Sequence, residues 1–224
     1  MSTVFITGLG RGIGKLLAQK FLEQGHKVYG TSTSGTTNVK DKNLHCFKLD
    51  LRSSESIVYC VEEIKETGFT FELLINNAGV LLDEDETSLI PELLRQTLEV
   101  NLIGTTDFTE RMLPFIEKGG HVVMLSSSAG SIERTGNMAS RYPSQYPAYK
   151  ISKAALNMYT RTLALRMNEK EIIVSSIHPG WARTDMGGED ATISPEQAAE
   201  TVYKIAMSRP ETGQFWSSEG RLSW

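Results

Sequence analysis

The chain has 224 residues, 40% of them hydrophobic, enough to bury one sizeable core. A net charge of −4 gives no electrostatic footprint for nucleic acid or an anionic membrane, and no stretch approaches the ~18 uninterrupted apolar residues of a membrane span. Cys46 and Cys60 are too few for a disulfide framework, and strand-like residues begin by Val4 with no basic segment before an apolar run; a soluble protein of a reducing, cytoplasmic compartment is expected.

Thr3-Val4-Phe5-Ile6 reads as a first strand. It stops in Thr7-Gly8-Leu9-Gly10-Arg11-Gly12-Ile13-Gly14, and residues 15–24 then carry helical periodicity through Leu16, Leu17 and Phe21. Strand, glycine turn and helix make a seat for a phosphate-bearing ligand: glycines let the backbone approach a pyrophosphate, and free amides at the helix start point at it. A P-loop is excluded twice, by Leu9 at its first glycine position and by Leu16 after Lys15. A glycine turn kept for packing alone is the plainer reading; its place between a first strand and a helix favours dinucleotide binding.

Residues 27–31 read as the second strand. Where an acidic residue would hold the ribose hydroxyls of NAD, this chain has Thr31-Ser32-Thr33-Ser34, with Arg11 in the glycine turn. Small hydroxyls beside a cation suit a 2′-phosphate, so NADP is favoured over NAD. Residues 44–48 form a third strand ended by Asp50-Leu51, and residues 53–67 a helix capped by Ser53. Residues 72–75 lead, as a fourth strand, into Asn76-Asn77-Ala78-Gly79, small enough for a flat ligand to lie against the backbone.

A helical pattern spans residues 92–115, with Asn101 in its middle, either a satisfied core amide or a local break that holds a water near the site. Residues 121–125 are a fifth strand ending in Ser126-Ser127-Ser128-Ala129-Gly130. Residues 130–146, with Arg134, Arg141 and Tyr142, lack periodicity and read as a lid or a surface loop. A helix to about residue 167 follows, and a spacing of four puts Tyr149 and Lys153 on one of its faces. The ammonium favours the phenolate, so a tyrosine pKa below the usual ~10 is expected. Tyr146 and Lys150 share the spacing, but Tyr146 precedes Pro147 and is pushed from helical dihedrals, which makes it a helix-entry residue. A sixth strand at 172–177, a helix opened by Ser194-Pro195-Glu196 and a seventh strand at 214–217 complete the chain. Alternating strands and helices with mostly apolar runs predict one α/β domain over residues 1–224, a doubly wound parallel sheet of Rossmann type with helices on both faces.

Taken together and in this order, Thr7-Gly8-x-x-x-Gly12-Ile13-Gly14, Asn76-Asn77-Ala78-Gly79, Asn101, Ser127, Tyr149-x-x-x-Lys153 and Pro179-Gly180 resemble the short-chain dehydrogenase/reductase family over the full chain. His178-Pro179-Gly180-Trp181, Thr184-Asp185-Met186-Gly187-Gly188 and residues 220–224 are similar to its short carbonyl reductases of the sniffer and C-factor type. The resemblance implies Tyr149 as proton donor, Lys153 on the nicotinamide ribose, Ser127 as the catalytic serine and Asn101 as anchor of a relay water. It further implies that Gly8, Arg11, Gly12, Ile13 and Thr33 hold the adenosine phosphates, and that Asp50 and Leu51 flank the adenine. Asn77, Ala78 and Gly79 would line the cofactor, and Pro179, Gly180 and Thr184 would border the nicotinamide. No metal is implied; a small carbonyl or alcohol substrate is, and a homo-oligomer is common in the family. Ser127 and Tyr149 stand further apart than the family's usual spacing, and the segment after Thr184 leaves no room for a substrate-covering lobe. The first predicts that residues 134–146 shape specificity, the second an open cleft. A rival role is a nicotinamide-binding regulator of the C-factor type; a sugar-nucleotide epimerase or dehydratase is disfavoured by the short C-terminal region.

Overall fold

Val4, Phe5 and Ile6 are all fully buried, as a strand covered on both faces requires. They belong to β1 (Thr3–Thr7). Phe5 points into a layer with Phe47, Phe71 and Phe108, while Val4 and Ile6 pack on the opposite face with Leu17, Phe21 and Val202. The computed structural model describes residues 1–137 and 144–224; Arg141 and Tyr142 lie outside the described residues.

Around β1 run β2 (Lys27–Ser32), β3 (Leu44–Lys48), β4 (Phe71–Asn76), β5 (Ile116–Leu125), β6 (Ile173–Ile177), β7 (Gln214–Ser217) and β8 (Gly220–Leu222). Among the described residues they form one sheet, ordered β3-β2-β1-β4-β5-β6-β7-β8. All neighbours are parallel except β7 and β8. Chain order reverses between β1 and β4, which leaves a crevice beyond the carboxyl ends of these strands. α1 (Gly12–Glu23) and α7 (Pro195–Met207) cover one face; α2 (Ser54–Glu66), α4 (Thr105–Met112) and α6 (Pro147–Met167) cover the other. The doubly wound α/β domain read from the sequence is therefore the fold. No helix among the described residues is long and apolar enough to cross a membrane.

Helix starts follow the expected caps. Ser53 Oγ accepts the Ser56 amide, and Ser194 and Gln197 form a reciprocal capping box with Pro195 in the first turn. Four features differ from expectation. The helix over 92–115 is interrupted: α3 (Pro91–Leu98) passes through a π-helical segment, Glu99–Gly104, into α4. There the Asn101 side chain bonds the Val80 backbone and Thr105 Oγ1 donates to the Val100 carbonyl at 2.8 Å. Residues 33–43 join β2 to β3 without a helix. The closing residues add β8, antiparallel to β7. A short α5 (Ile132–Asn137) occupies part of the segment that lacked periodicity.

Candidate active site

The floor of the crevice is the turn between β1 and α1. Gly8 and Leu9 amides both donate to the Thr31 carbonyl, at 3.0 and 2.7 Å, which ties the turn to β2. Gly8 has φ +81°, a conformation other residues adopt only with strain, and a Cβ at Gly14 would collide with the Gly8 carbonyl and the Asn77 amide group. Arg11 is extended and no side chain caps α1, so first-turn amides remain open where Gly12, Ile13 and Gly14 line the crevice.

β4 ends against this floor through Thr7. Its Oγ1 accepts the amides of Asn77 and Ala78, each at 3.0 Å, and Asn77 Nδ2 donates to the Thr7 carbonyl at 2.8 Å. The crevice encloses about 930 Å³. Thr33, Asp50, Leu51, Ala78, Gly79, Pro179 and Thr184 also line it. Gly180 does not; with φ +96° it turns the chain behind Pro179 against Ile193. Arg11 is committed elsewhere than expected: its guanidinium pairs with Asp185 Oδ2 at 2.8 Å, across the mouth. Asp50 is held by Arg52, which keeps its carboxyl below the usual carboxylate range.

α6 forms the facing wall. Tyr149 and Lys153 both line the crevice. Lys153 is buried, its Nζ donating to the Leu125 carbonyl at 2.9 Å and lying 5.6 Å from the centre of the Tyr149 ring. The three serines divide clearly. Ser126 Oγ donates to buried Asn157 Oδ1 at 2.6 Å, Ser128 faces His178 at 3.4 Å, and Ser127 Oγ accepts the Ala129 amide at 3.2 Å beside the Tyr149 phenol. Two expectations change here. Burial pushes Tyr149 up to about 12, against the drawing-down effect of nearby Ser127, so the phenol is not the lowered one the spacing implied. The reason is geometric: the Lys153 ammonium is turned onto a carbonyl beneath the ring, and burial lowers it in turn to about 8. The second concerns Asn101, which is 1% exposed. Its side chain bonds Val80 N, Val80 O and Ser152 Oγ at 2.8, 2.8 and 3.0 Å, as a satisfied core amide does.

Asp83, Ser152 and Arg52 also shape this site and were not singled out in the sequence, while Thr7 and Asp185 stood there only inside motifs, with no role given. Only Thr7 carried a signal, as a hydroxyl at the end of a strand opening on glycines. The floor fits a dinucleotide: open helix-start amides, a turn with no space for a Cβ at Gly14, and small residues along β4's end.

A doubly wound sheet with this floor and this Tyr/Lys helix defines a nicotinamide-binding α/β oxidoreductase. The family model described as short chain dehydrogenase matches residues 2–193, and the chain belongs to that family. The 1-hydroxy-2-glutathionyl-2-methyl-3-butene dehydrogenase of Rhodococcus sp. (strain AD45) is 29% identical over the whole of both chains. The C-signal protein of Myxococcus xanthus is 33% identical over 66% of this chain and 89% of its own. Among solved structures, the NADPH-bound carbonyl reductase from chicken fatty liver superposes with a TM-score of 0.89 at 25% identity, covering 100% of this chain and 94% of its own. The carbonyl reductase Sniffer of D. melanogaster gives 0.87 at 25% identity over 100% of both.

Proposed function

We propose that the protein is an NADP(H)-dependent carbonyl reductase acting reversibly on a small aldehyde, ketone or quinone, with Tyr149 as general acid and base. The observation that carries this reading is Tyr149 and Lys153 together on the crevice wall, with Lys153 Nζ 5.6 Å from the centre of the Tyr149 ring and Ser127 beside the phenol. The cofactor, when bound, supplies the hydride. Gly8, Gly12, Ile13, Asn77, Ala78 and Gly79 would hold its phosphates and riboses, and Pro179 and Thr184 would border its ring. A phenol kept protonated through neutral pH is ready to give its proton to the substrate oxygen. Ser127 bonds the same oxygen as negative charge develops there. Lys153 stands below to replenish or hold that proton, and the π-helical segment at Asn101 offers backbone carbonyl for a relay water.

Preference for NADP rests on Thr33 and Ser34 where a carboxylate would exclude a 2′-phosphate, and on Arg11 and Arg52 lining the same crevice. NADPH in the chicken reductase supports it. Free Cys46 and Cys60 accord with a cytoplasmic location. The test is Tyr149→Phe, which should cut NADPH-dependent reduction at least ~100-fold while changing NADPH affinity little. Unchanged turnover would remove Tyr149 from the mechanism. Relation to C-signal favours a second reading, a cofactor-binding regulator; NADPH bound but not oxidised with any of a panel of aldehydes, ketones and quinones would select it.

A further inference from the structure

We propose that Asp83 is the positioning residue for Tyr149, clamping the start of α6 so that the phenol is presented to the crevice; this rests on the reductase reading above. α6 does not cap itself. The residue before it, Tyr146, is left-handed (φ 52°, ψ 50°) and makes no side-chain cap, and Pro147 has no N–H. The first free donors are therefore the amides of Ala148 and Tyr149. Asp83, 65 residues upstream of Ala148 and 2% exposed, takes both: Oδ2 accepts Ala148 N–H at 2.6 Å and Oδ1 accepts Tyr149 N–H at 3.3 Å. A carboxylate at the positive end of a helix is favoured on charge as well.

Two further bonds make the clamp a cradle. Tyr146 N–H donates to the Glu86 carbonyl at 2.8 Å, and Glu86 N–H to the Asp83 carbonyl at 3.1 Å. A left-handed non-glycine residue persists only where its surroundings over-determine it, and the turn from Asp83 to Glu86 does so. The other side of Tyr149 is held by the same loop. Its carbonyl accepts from Ser152 Oγ at 2.7 Å, and that hydroxyl is bonded by Asn101, which also grips both backbone groups of Val80. Both backbone polar groups of Tyr149 are thus fixed from residues 80–83, the segment whose Val80 and Leu82 line the crevice. A general fold-stabilising cap would act on everything equally; this one acts on one residue of the site.

The test compares Asp83→Ala and Asp83→Asn with the unaltered protein, using NADPH and 4-nitrobenzaldehyde. Asp83→Ala should lower kcat by about 10- to 100-fold, as expected for a misplaced reacting group, with the NADPH Kd within about twofold. Asp83→Asn should recover most of the loss, since its amide oxygen still accepts the Ala148 N–H. Unchanged kcat in Asp83→Ala, or a matching loss in Kd, overturns the proposal. If Asp83→Ala does not fold, hydrogen exchange in Asp83→Asn decides. Exchange at Tyr149, whose acceptor oxygen becomes an amide nitrogen, should rise relative to Ala148 and the rest of α6, and unchanged exchange overturns the clamp. Unaltered protein that binds NADPH but reduces no carbonyl defeats the reductase reading instead, and the exchange measurement still judges the clamp.

Discussion

Lys153 lies in an unfavourable place for a cation. Burial lowers it from its ordinary 10.5 to about 8, so in the free protein its charge is lost as pH rises through about 8, while Tyr149 keeps its proton well beyond that. For reduction, kcat/KM for NADPH reports the free enzyme, and it should fall on the alkaline side with a midpoint near 8. Lys153→Met should abolish that limb and lower kcat/KM by about 10- to 100-fold, yet raise thermal stability, because an apolar chain replaces a desolvated charge. A gain on the order of 1–3 kcal/mol at neutral pH is the scale of the shift. A flat profile for the unaltered protein would show that Lys153 is not the titrating group. The Tyr149–Lys153 spacing was legible because helical geometry alone puts the two on one face. The direction of the Tyr149 shift was not, since it depends on how deeply the ring is enclosed and on which acceptor captures the ammonium. Ser127 stood out from Ser126 and Ser128 only by its distance from Gly130; three different hydrogen-bond partners, Asn157, the Ala129 amide and His178, now separate them.

The loop that follows β6 meets the turn that precedes α1 through an exposed ion pair. Arg11 and Asp185 side chains are 82% and 75% exposed, so the pair is weak and readily opened by salt or a competing phosphate. Asp185 thus competes for the guanidinium that a 2′-phosphate would use. Asp185→Asn should tighten NADPH binding by about two- to fivefold at low salt and leave NADH unchanged, whereas Arg11→Ala should erase most of the preference. Paired Kd measurements at low and high salt check this; an equal response of both cofactors would detach Arg11 from the 2′-phosphate. At this scale caps were readable, because Ser53, Ser194 and Pro195 act within one turn of sequence. The π-helical segment was half-readable: Asn101 announced a break, but its cause, the Val80 backbone, comes from 21 residues away. Tyr146 was correctly placed at the helix entry by Pro147, but its left-handed backbone follows from the turn at residues 83–86, which nothing adjacent in sequence announces.

The two apolar layers on either side of the sheet made the fold class legible, because β1, β4 and β5 carry buried residues on both faces and only a sheet sandwiched between helices permits that. The edges were less so: β8 is three residues long and pairs by a turn at Ser217–Gly220, too short for any periodicity to show. Between the layers lie polar groups whose ionisation governs the stability of the whole molecule. His121, on β5 and 4% exposed, bridges to α7 and β6: Nδ1 lies 3.0 Å from the Ala206 carbonyl, so it carries the proton, and Nε2 accepts from Ser175 Oγ at 2.7 Å. Burial lowers its pKa to about 4, the Ala206 carbonyl working against this and the Arg209 charge adding to it; burial and Arg134 lower His178 to about 4 as well. Below pH 6.5 the unfolded chain takes up a proton at each position that the folded chain refuses until about 4, so stability is full above 6.5 and declines as pH falls through that window. His121 alone contributes a slope of about 1.4 kcal/mol per pH unit. Carboxylates held low by cations, Asp50, Glu110 and Glu200, add their loss only at lower pH, as the solution approaches their own depressed values. Urea unfolding between pH 7.5 and 4.5 should therefore show a midpoint that falls steadily below 6.5, and His121→Gln should reduce the dependence by close to one proton. An unaltered slope in that variant would mean that His121 is charged in the fold, and that the Ser175 and Ala206 contacts have rearranged to accept a second ring proton.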